Sequence, residues 1–297
     1  MGRDNMRKKR SLHKTSFGEK AFKLGICLYL GFLLLTMIVP FWNTFVISIS
    51  SNIASMERGI RLWPSEFSLE GYRTIWTGLE LWRPFLNNVI VTVSGTFFHV
   101  LLAAMAGYVL VQPRLPGKKI IVSLIMITMM VPGEAIMIPL FIVFRDLRLV
   151  DTLWALIVSG MVSGFSILLM RNFFLSIPYE VSESAQIDGA NDFKIFYKLY
   201  LPLAKPGIAT ILLFEFVGRW NHFTSALLYL PTNTRLHTLQ LALRALVLEN
   251  DAASGGVFFT PNVRMAGLVI SMIPLLLIYP FLQRYFVKGI NLGATKE

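Results

Sequence analysis

Cysteine occurs once, at Cys27 inside an apolar run, which excludes an internal disulfide and a clustered cysteine metal site. The residue is expected to pack against lipid or a neighbouring helix. The four histidines, His13, His99, His222 and His237, are dispersed without ligand spacing, so no metal site is expected. No G-x-x-x-x-G-K-[ST] run is present. Gly117, Lys118 and Lys119 lack the rest of a phosphate cradle, and no ATP site is expected on this chain. Charge is also scarce, at 15% of 297 residues against 55% hydrophobic residues. The connections between apolar stretches are too short for a conventional enzyme domain, so no catalytic residues are expected.

What the chain does hold is long apolar runs rather than amphipathic spacing. Six stretches are long enough to cross about 30 Å of hydrocarbon as helices: 24–47, 86–111, 120–144, 152–173, 206–230 and 263–287. Helices are expected because unpaired amides are costly in lipid. The expected fold class is an all-α polytopic membrane protein, with residues 1–23 as an N-terminal segment and 24–297 as the transmembrane domain. Pro132, Pro139 and Pro274 lie inside these spans and predict kinks or local unwinding, since proline removes a helical donor.

The net charge of +11 is placed as a membrane topology requires, which favours a membrane over a nucleic-acid reading. Arg7, Lys8, Lys9, Arg10, Lys14, Lys20 and Lys23 abut the first apolar run. That pairing imitates a signal peptide, but the run continues to about residue 49 without a small-residue cleavage site, so a retained span is expected. With the N-terminus cytoplasmic, the outer connections hold as many acidic as basic residues and the inner ones bear the excess. Both termini are thus expected in the cytoplasm.

The outer connection 48–85 contains Trp63, Trp76 and Trp82, expected to anchor interfacial elements. The later one, 230–262, predicts a short helix around Leu239, Leu241, Leu243 and Leu246, then a loop tip at Gly255 and Gly256. Within the fifth span, Glu215, Arg219, Trp220, Asn221 and His222 interrupt the apolar run. Ionised groups facing lipid are costly, so these should turn toward a cavity, a partner or the headgroups. Glu215 and Arg219 have the spacing of a helical ion pair, which serves packing as readily as function. Trp220 and Asn221 are candidates for stacking on and hydrogen bonding to a sugar, with helix packing as the alternative. Glu134, beside Pro132 and Gly133, is a further candidate for the pathway or a subunit interface.

Residues 171–205 form the longest inner connection. Its aromatic residues, Phe193 and Phe196 among them, suggest an exposed amphipathic helix whose apolar area docks in a partner's groove, with Glu183 and Asp188 at the rim. Ala185 and Gly189 permit close approach. A membrane-surface helix without a partner fits the same physics.

In this segment Glu183, Ser184 and Ala185 are followed by Gly189 and, nine residues later, by Leu199, Tyr200, Leu201 and Pro202. The pattern resembles the cytoplasmic motif of permease subunits of binding-protein-dependent ABC importers: Glu-Ala-Ala, three residues, Gly, nine residues, Ile-x-Leu-Pro. Ser184 replaces an Ala and Leu199 the Ile. The similarity extends over about residues 20–297 and is greatest to the carbohydrate branch. There it resembles the second permease subunits of importers for acidic oligosaccharides such as alginate.

The resemblance implies a type I importer permease fold of six transmembrane helices in a bacterial inner membrane. It also implies a coupling helix, comprising Glu183, Ser184, Ala185, Gly189, Phe193, Leu199, Leu201 and Pro202, seated in an ATPase. The implied partners are a homologous second permease, two ATPase subunits that bind Mg-ATP, and an extracytoplasmic substrate-binding protein that meets the 230–262 loop. Glu134, Glu215, Arg219, Trp220 and Asn221 would lie on the pathway or its gate, and the tail 288–297 would reach the ATPase. An ion-coupled carrier and a membrane scaffold are the alternatives from other classes.

Overall fold

The computed structural model describes residues 17–248 and 259–293, with side chains described for 18–246 and 259–281. It is helical, and the described residues contain only one isolated β-bridge, Ser50 to Phe67. The long helices are α1 (Phe17–Ser48), α2 (Trp82–Val111) and the last helix, which begins at Pro261 and runs to Gly293. Three helical segments are long and apolar enough to cross a membrane alone, and the bent pairs raise the number to five.

Three expected spans are broken, 206–230 among them, where the helix gives way to extended backbone at His222. The stretch 120–144 forms α3 (Lys118–Thr128) and α4 (Gly133–Asp146), which meet at 97°. The break falls at Pro132, whose extended backbone and missing N–H end the helical run. The stretch 152–173 forms α5 (Leu153–Val158) and α6 (Gly164–Leu175), separated by unwound backbone in which Gly160 has φ +70°. Pro139 and Pro274 lie within continuous helix, so of the kink or local unwinding expected there the unwinding is absent. The hairpin helices α7 (Glu180–Ile187) and α8 (Asp192–Ile195) follow, then α9 (Lys205–Asn221), α10 (Thr224–Tyr229), α11 (Leu239–Leu248) and α12 (Pro261–Gly293). The expected short helix around Leu239 is α11. Helix α12 extends past the expected end of its span into the stretch read as a tail.

Helix α2 is the central post and packs on α5, α6 and α9. Small residues set its close approach, as in membrane interfaces generally. A methyl group at Gly107 would lie 2.8 Å from the Cβ of Met170 and 3.0 Å from the amide of Arg171. By contrast, α1 is apolar around its circumference and mostly exposed, with Cys27 on its surface, as suits a helix facing lipid. At the end opposite the α7–α8 hairpin, the 48–85 connection is pinned to the start of α12. Buried Asn262 donates to the carbonyl of Ser50 at 3.0 Å and to Asn52 Oδ1 at 2.9 Å. Trp63, Trp76 and Trp82 are exposed on this side of the chain.

Candidate functional site

The hairpin is built by local chemistry. Helix α7 stops at Gly189, whose φ of +76° suits glycine and lets the amide of Ala190 reach the carbonyl of Ala185 at 2.9 Å. Asn191 then caps α8 by accepting from the amide of Lys194 at 2.8 Å. The hairpin is fixed to the bundle by an aromatic block. The ring of Tyr108 on α2 lies 4.9 Å from Tyr200 and 5.2 Å from Phe196, centroid to centroid, and Phe174 closes the group. Inside it the hydroxyls of Ser182 and Tyr200 are 2.8 Å apart and buried.

Of the expected coupling residues, Glu183, Ser184, Gly189, Phe193 and Pro202 are exposed, whereas Ala185, Leu199 and Leu201 pack against the aromatic block. Phe193 is 75% exposed and Ile187, which the sequence reading overlooked, 87%. Phe196 is a correction: it is buried in the block and offers no docking area. Ala185 likewise faces the bundle, and at Gly189 the demand is backbone conformation, since nothing in this chain lies near its missing Cβ. An apolar residue ending the polar run of α7 was the available sign for Ile187. The hairpin continues through residues 192–203 into α9 with a bend of 78° at Ala204.

The second feature lies where α5 and α6 separate. Arg219 Nε donates to Glu215 Oε1 at 2.6 Å, the ion pair expected from their spacing. Its Nη1 donates to the carbonyls of Leu156 at 2.9 Å and Ile157 at 3.3 Å, at the end of α5. A cation at a helix C-terminus meets the negative end of the dipole and satisfies carbonyls that have lost their helical donors. His99 on α2 bonds through Nδ1 to the carbonyl of Gly160 at 2.8 Å and through Nε2 to the hydroxyl of Ser166 at 2.8 Å. A carbonyl only accepts, so Nδ1 bears the hydrogen; Nε2 accepts from Ser166 in the neutral ring. Room for the guanidinium comes from Gly95, one turn before His99, where a Cβ would collide with Arg219. Unwound backbone at membrane depth is tolerated where protein groups satisfy it or where it lines a cavity, and both conditions hold here.

That cavity measures about 330 Å³ and is bordered by Asn88, His99, Ser159, Glu215, Arg219 and Thr238 among others. His222 also lines it, and its Nδ1 accepts from the amide of Ser225 at 3.3 Å. Among the expected pathway residues, only Glu215 and Arg219 border it. Trp220 is a correction: it is 1% exposed, stacks on Phe216, meets Phe85 edge to face and donates to the carbonyl of Ser271 at 2.9 Å. Its indole is structural in this conformation, because no face is free for a sugar. Asn221 is exposed away from the cavity wall and donates to the carbonyl of Val217 in its own helix at 3.0 Å. Glu134 is exposed in the first turn of α4, where an acid suits the helix dipole, and is not brought to the cavity. Gly255 and Gly256 lie outside the described residues. His99, Gly95 and Thr238 were missed as site residues. The available sign for the first two was a Gly and a His four residues apart in an otherwise apolar span.

Residues 99–292 match the family described as binding-protein-dependent transport system inner membrane component. The chain is similar to the polygalacturonan/rhamnogalacturonan transport system permease protein YtcP of Bacillus subtilis, with 37% identity over 277 residues that cover 90% of this chain and 96% of that one. It is 30% identical over 278 residues to the arabinooligosaccharides transport system permease protein AraQ of Halalkalibacterium halodurans, covering 92% and 97% of the two chains. Its fold superposes with a TM-score of 0.84 on a chain from the crystal structure of a bacterial ABC transporter involved in the import of the acidic polysaccharide alginate, at 30% identity over 91% of this chain and 98% of that one. The chain therefore belongs to the binding-protein-dependent transport system inner membrane components, and it is a non-catalytic permease of the sugar and oligosaccharide ABC transporters.

Proposed function

We propose that this chain is one of two homologous permeases in an ATP-driven importer of acidic, uronate-containing oligosaccharides, with alginate fragments as one candidate cargo. In this reading a substrate-binding protein delivers cargo on the outer face, and the 230–262 connection meets it around Gly255 and Gly256. Two ATPase subunits bind Mg-ATP on the inner face. The chain ends lie in the cytoplasm, as the placement of positive charge requires. Closure of the ATPases displaces the hairpin and, through α9, the polar break, switching the pathway between inward and outward access.

The observation that carries the proposal is the hairpin. It exposes Ile187 and Phe193 at its tip, rests on a packed aromatic block and runs into the helix that bears Glu215 and Arg219. An exposed apolar tip on a rigid base suits helix-in-groove docking, in which Glu183 orients the approach and Gly189 sets the bend. The acidic cargo is supported by two similar proteins, one named for polygalacturonan and one described by alginate import.

Copurification after mild solubilisation tests the assembly: recovery of a second permease and two copies of an ATPase is expected. Glu183→Ala, Gly189→Asp and Phe193→Ser should each reduce ATPase association or coupled uptake while membrane insertion persists. Transport by the isolated chain without ATP would instead identify an ion-coupled carrier. For cargo, binding proteins loaded with uronate oligosaccharides should stimulate the reconstituted ATPase more than those loaded with neutral malto-oligosaccharides. The reverse order would reject the acidic assignment.

A further inference from the structure

We propose that the cavity at the α5–α6 break is a subsite for one sugar ring, read through its neutral hydroxyls by Arg219 and Thr238 and not through a carboxylate. This inference rests on the importer reading above. Two residues that line the cavity each hold a buried polar atom with no hydrogen-bond partner among the described residues. Arg219 Nη2 has no hydrogen bond although its side chain is only 9% exposed, and the hydroxyl of Thr238, 2% exposed as a residue, has none either. Buried donors without partners are uncommon, and two on one cavity mark a place where a polar ligand is met.

The rest of the wall decides which ligand. Arg219 is already neutralised by Glu215 at 2.6 Å, so the pair brings no net charge. An incoming carboxylate would be desolvated beside the carboxylate of Glu215, which repels it. A hydroxyl is different, because it both donates and accepts. It can take a hydrogen from Arg219 Nη2 and give its own to Glu215, which lines the same cavity and retains acceptor capacity. The volume of about 330 Å³ stands at the small end for ligand pockets, about 300–1,000 Å³, which suits one ring rather than a chain of them. An acidic oligosaccharide would thus pass with its hydroxyls read here and its carboxylates elsewhere.

The test uses the importer reconstituted with its partner permease, ATPases and binding protein in proteoliposomes. The probes are trigalacturonate and its fully methyl-esterified, uncharged counterpart. Thr238→Val removes a hydroxyl that has no partner among the described residues and keeps the side-chain shape. It should raise the KM for uptake about three- to tenfold, the loss of one hydrogen bond, and equally for both probes. Thr238→Ser should retain the wild-type KM. Thr92→Val, which removes a buried and unpartnered hydroxyl that is not on the cavity wall, should leave the KM unchanged. Melting temperatures of the variants separate binding from packing. An unchanged KM in Thr238→Val would overturn the subsite, and a rise confined to trigalacturonate would overturn the hydroxyl reading. If the wild-type assembly takes up no saccharide, the importer reading fails and the subsite with it.

Discussion

The hairpin and the polar break are anomalies of opposite kinds, each suited to its surroundings. At the hairpin, apolar side chains stand exposed on a segment read as lying in water, and the supporting energy is aromatic packing behind them. At the break, charged groups and an imidazole lie within apolar stretches, and the supporting energy is hydrogen bonding to one another and to backbone carbonyls at the end of α5 and in the unwound segment. The comparison teaches that what a segment leaves unsatisfied depends on its solvent. Water penalises exposed apolar area, and hydrocarbon penalises unpaired polar groups. The hairpin therefore advertises a protein partner, whereas the break needs partners from its own chain before it can offer anything to a ligand.

Substitutions at the two places should separate accordingly. The largest effect is expected from Arg219→Met, which strands Glu215 and frees the carbonyls of Leu156 and Ile157. A loss of about 3–5 kcal/mol is expected for breaking a buried pair from one side, read as a fall in melting temperature in detergent or nanodiscs. Adding Glu215→Met to that variant should recover much of the loss, because the uncompensated charge is removed. Recovery in the double variant would show that the pair's stability contribution is largely mutual.

At the hairpin, Tyr200→Phe leaves the buried Ser182 hydroxyl without its partner and should cost about 1–3 kcal/mol. Pairing it with Ser182→Ala should be nearly neutral. If the double variant stays as unstable as the single one, the hydroxyl pair is not what fixes α7 to the block. Gly189→Ala is smaller, about 1 kcal/mol, for forcing a Cβ into left-handed backbone where nothing else crowds it. Its effect on ATPase stimulation should exceed its effect on stability.

The smallest effect concerns Asp151, in the connection between α4 and α5, which holds the 231–233 turn. The Thr232 hydroxyl above all, aided by the amides of Thr232 and Asn233, keeps this carboxyl below its usual range. A depressed value means that the ionised form favours the fold. The contribution is thus complete above the unfolded value of about 3.9 and is lost as pH falls through the lower folded one. Hydrogen exchange at the Thr232 and Asn233 amides should accelerate over that acid window in the wild type. In Asp151→Asn it should be faster at neutral pH and nearly insensitive to the same titration.

The two regions were also unequally legible in the sequence. The hairpin's position followed from glycine spacing and from an apolar cluster set between polar turns, and the Glu215–Arg219 pair from helical periodicity. The breaks were harder to read. Apolar residues suit lipid whether their backbone is helical or unwound, so residues 152–173 passed as one span even with Ser159, Gly160 and Ser163 inside it. Trp220 was misread for a related reason. Helical spacing tells which residues share a face, but not whether that face meets a cavity or another helix, and here it meets α12 through Ser271. The contacts of His99 with the α5–α6 break depend on which helices become neighbours, a choice the local sequence does not encode.

The bend at Ala204 makes α9 a lever arm. At about 1.5 Å per residue, Arg219 stands about 21 Å along the helix from Lys205. A tilt of about 5° at the bend therefore carries the guanidinium about 2 Å sideways, comparable to the length of the bonds that hold it. In the coupling mechanism proposed above, a small stroke at the hairpin would thus be amplified into making or releasing the contacts of Arg219 with the α5 carbonyls. The gain is set by the length of α9 rather than by the strength of any single contact.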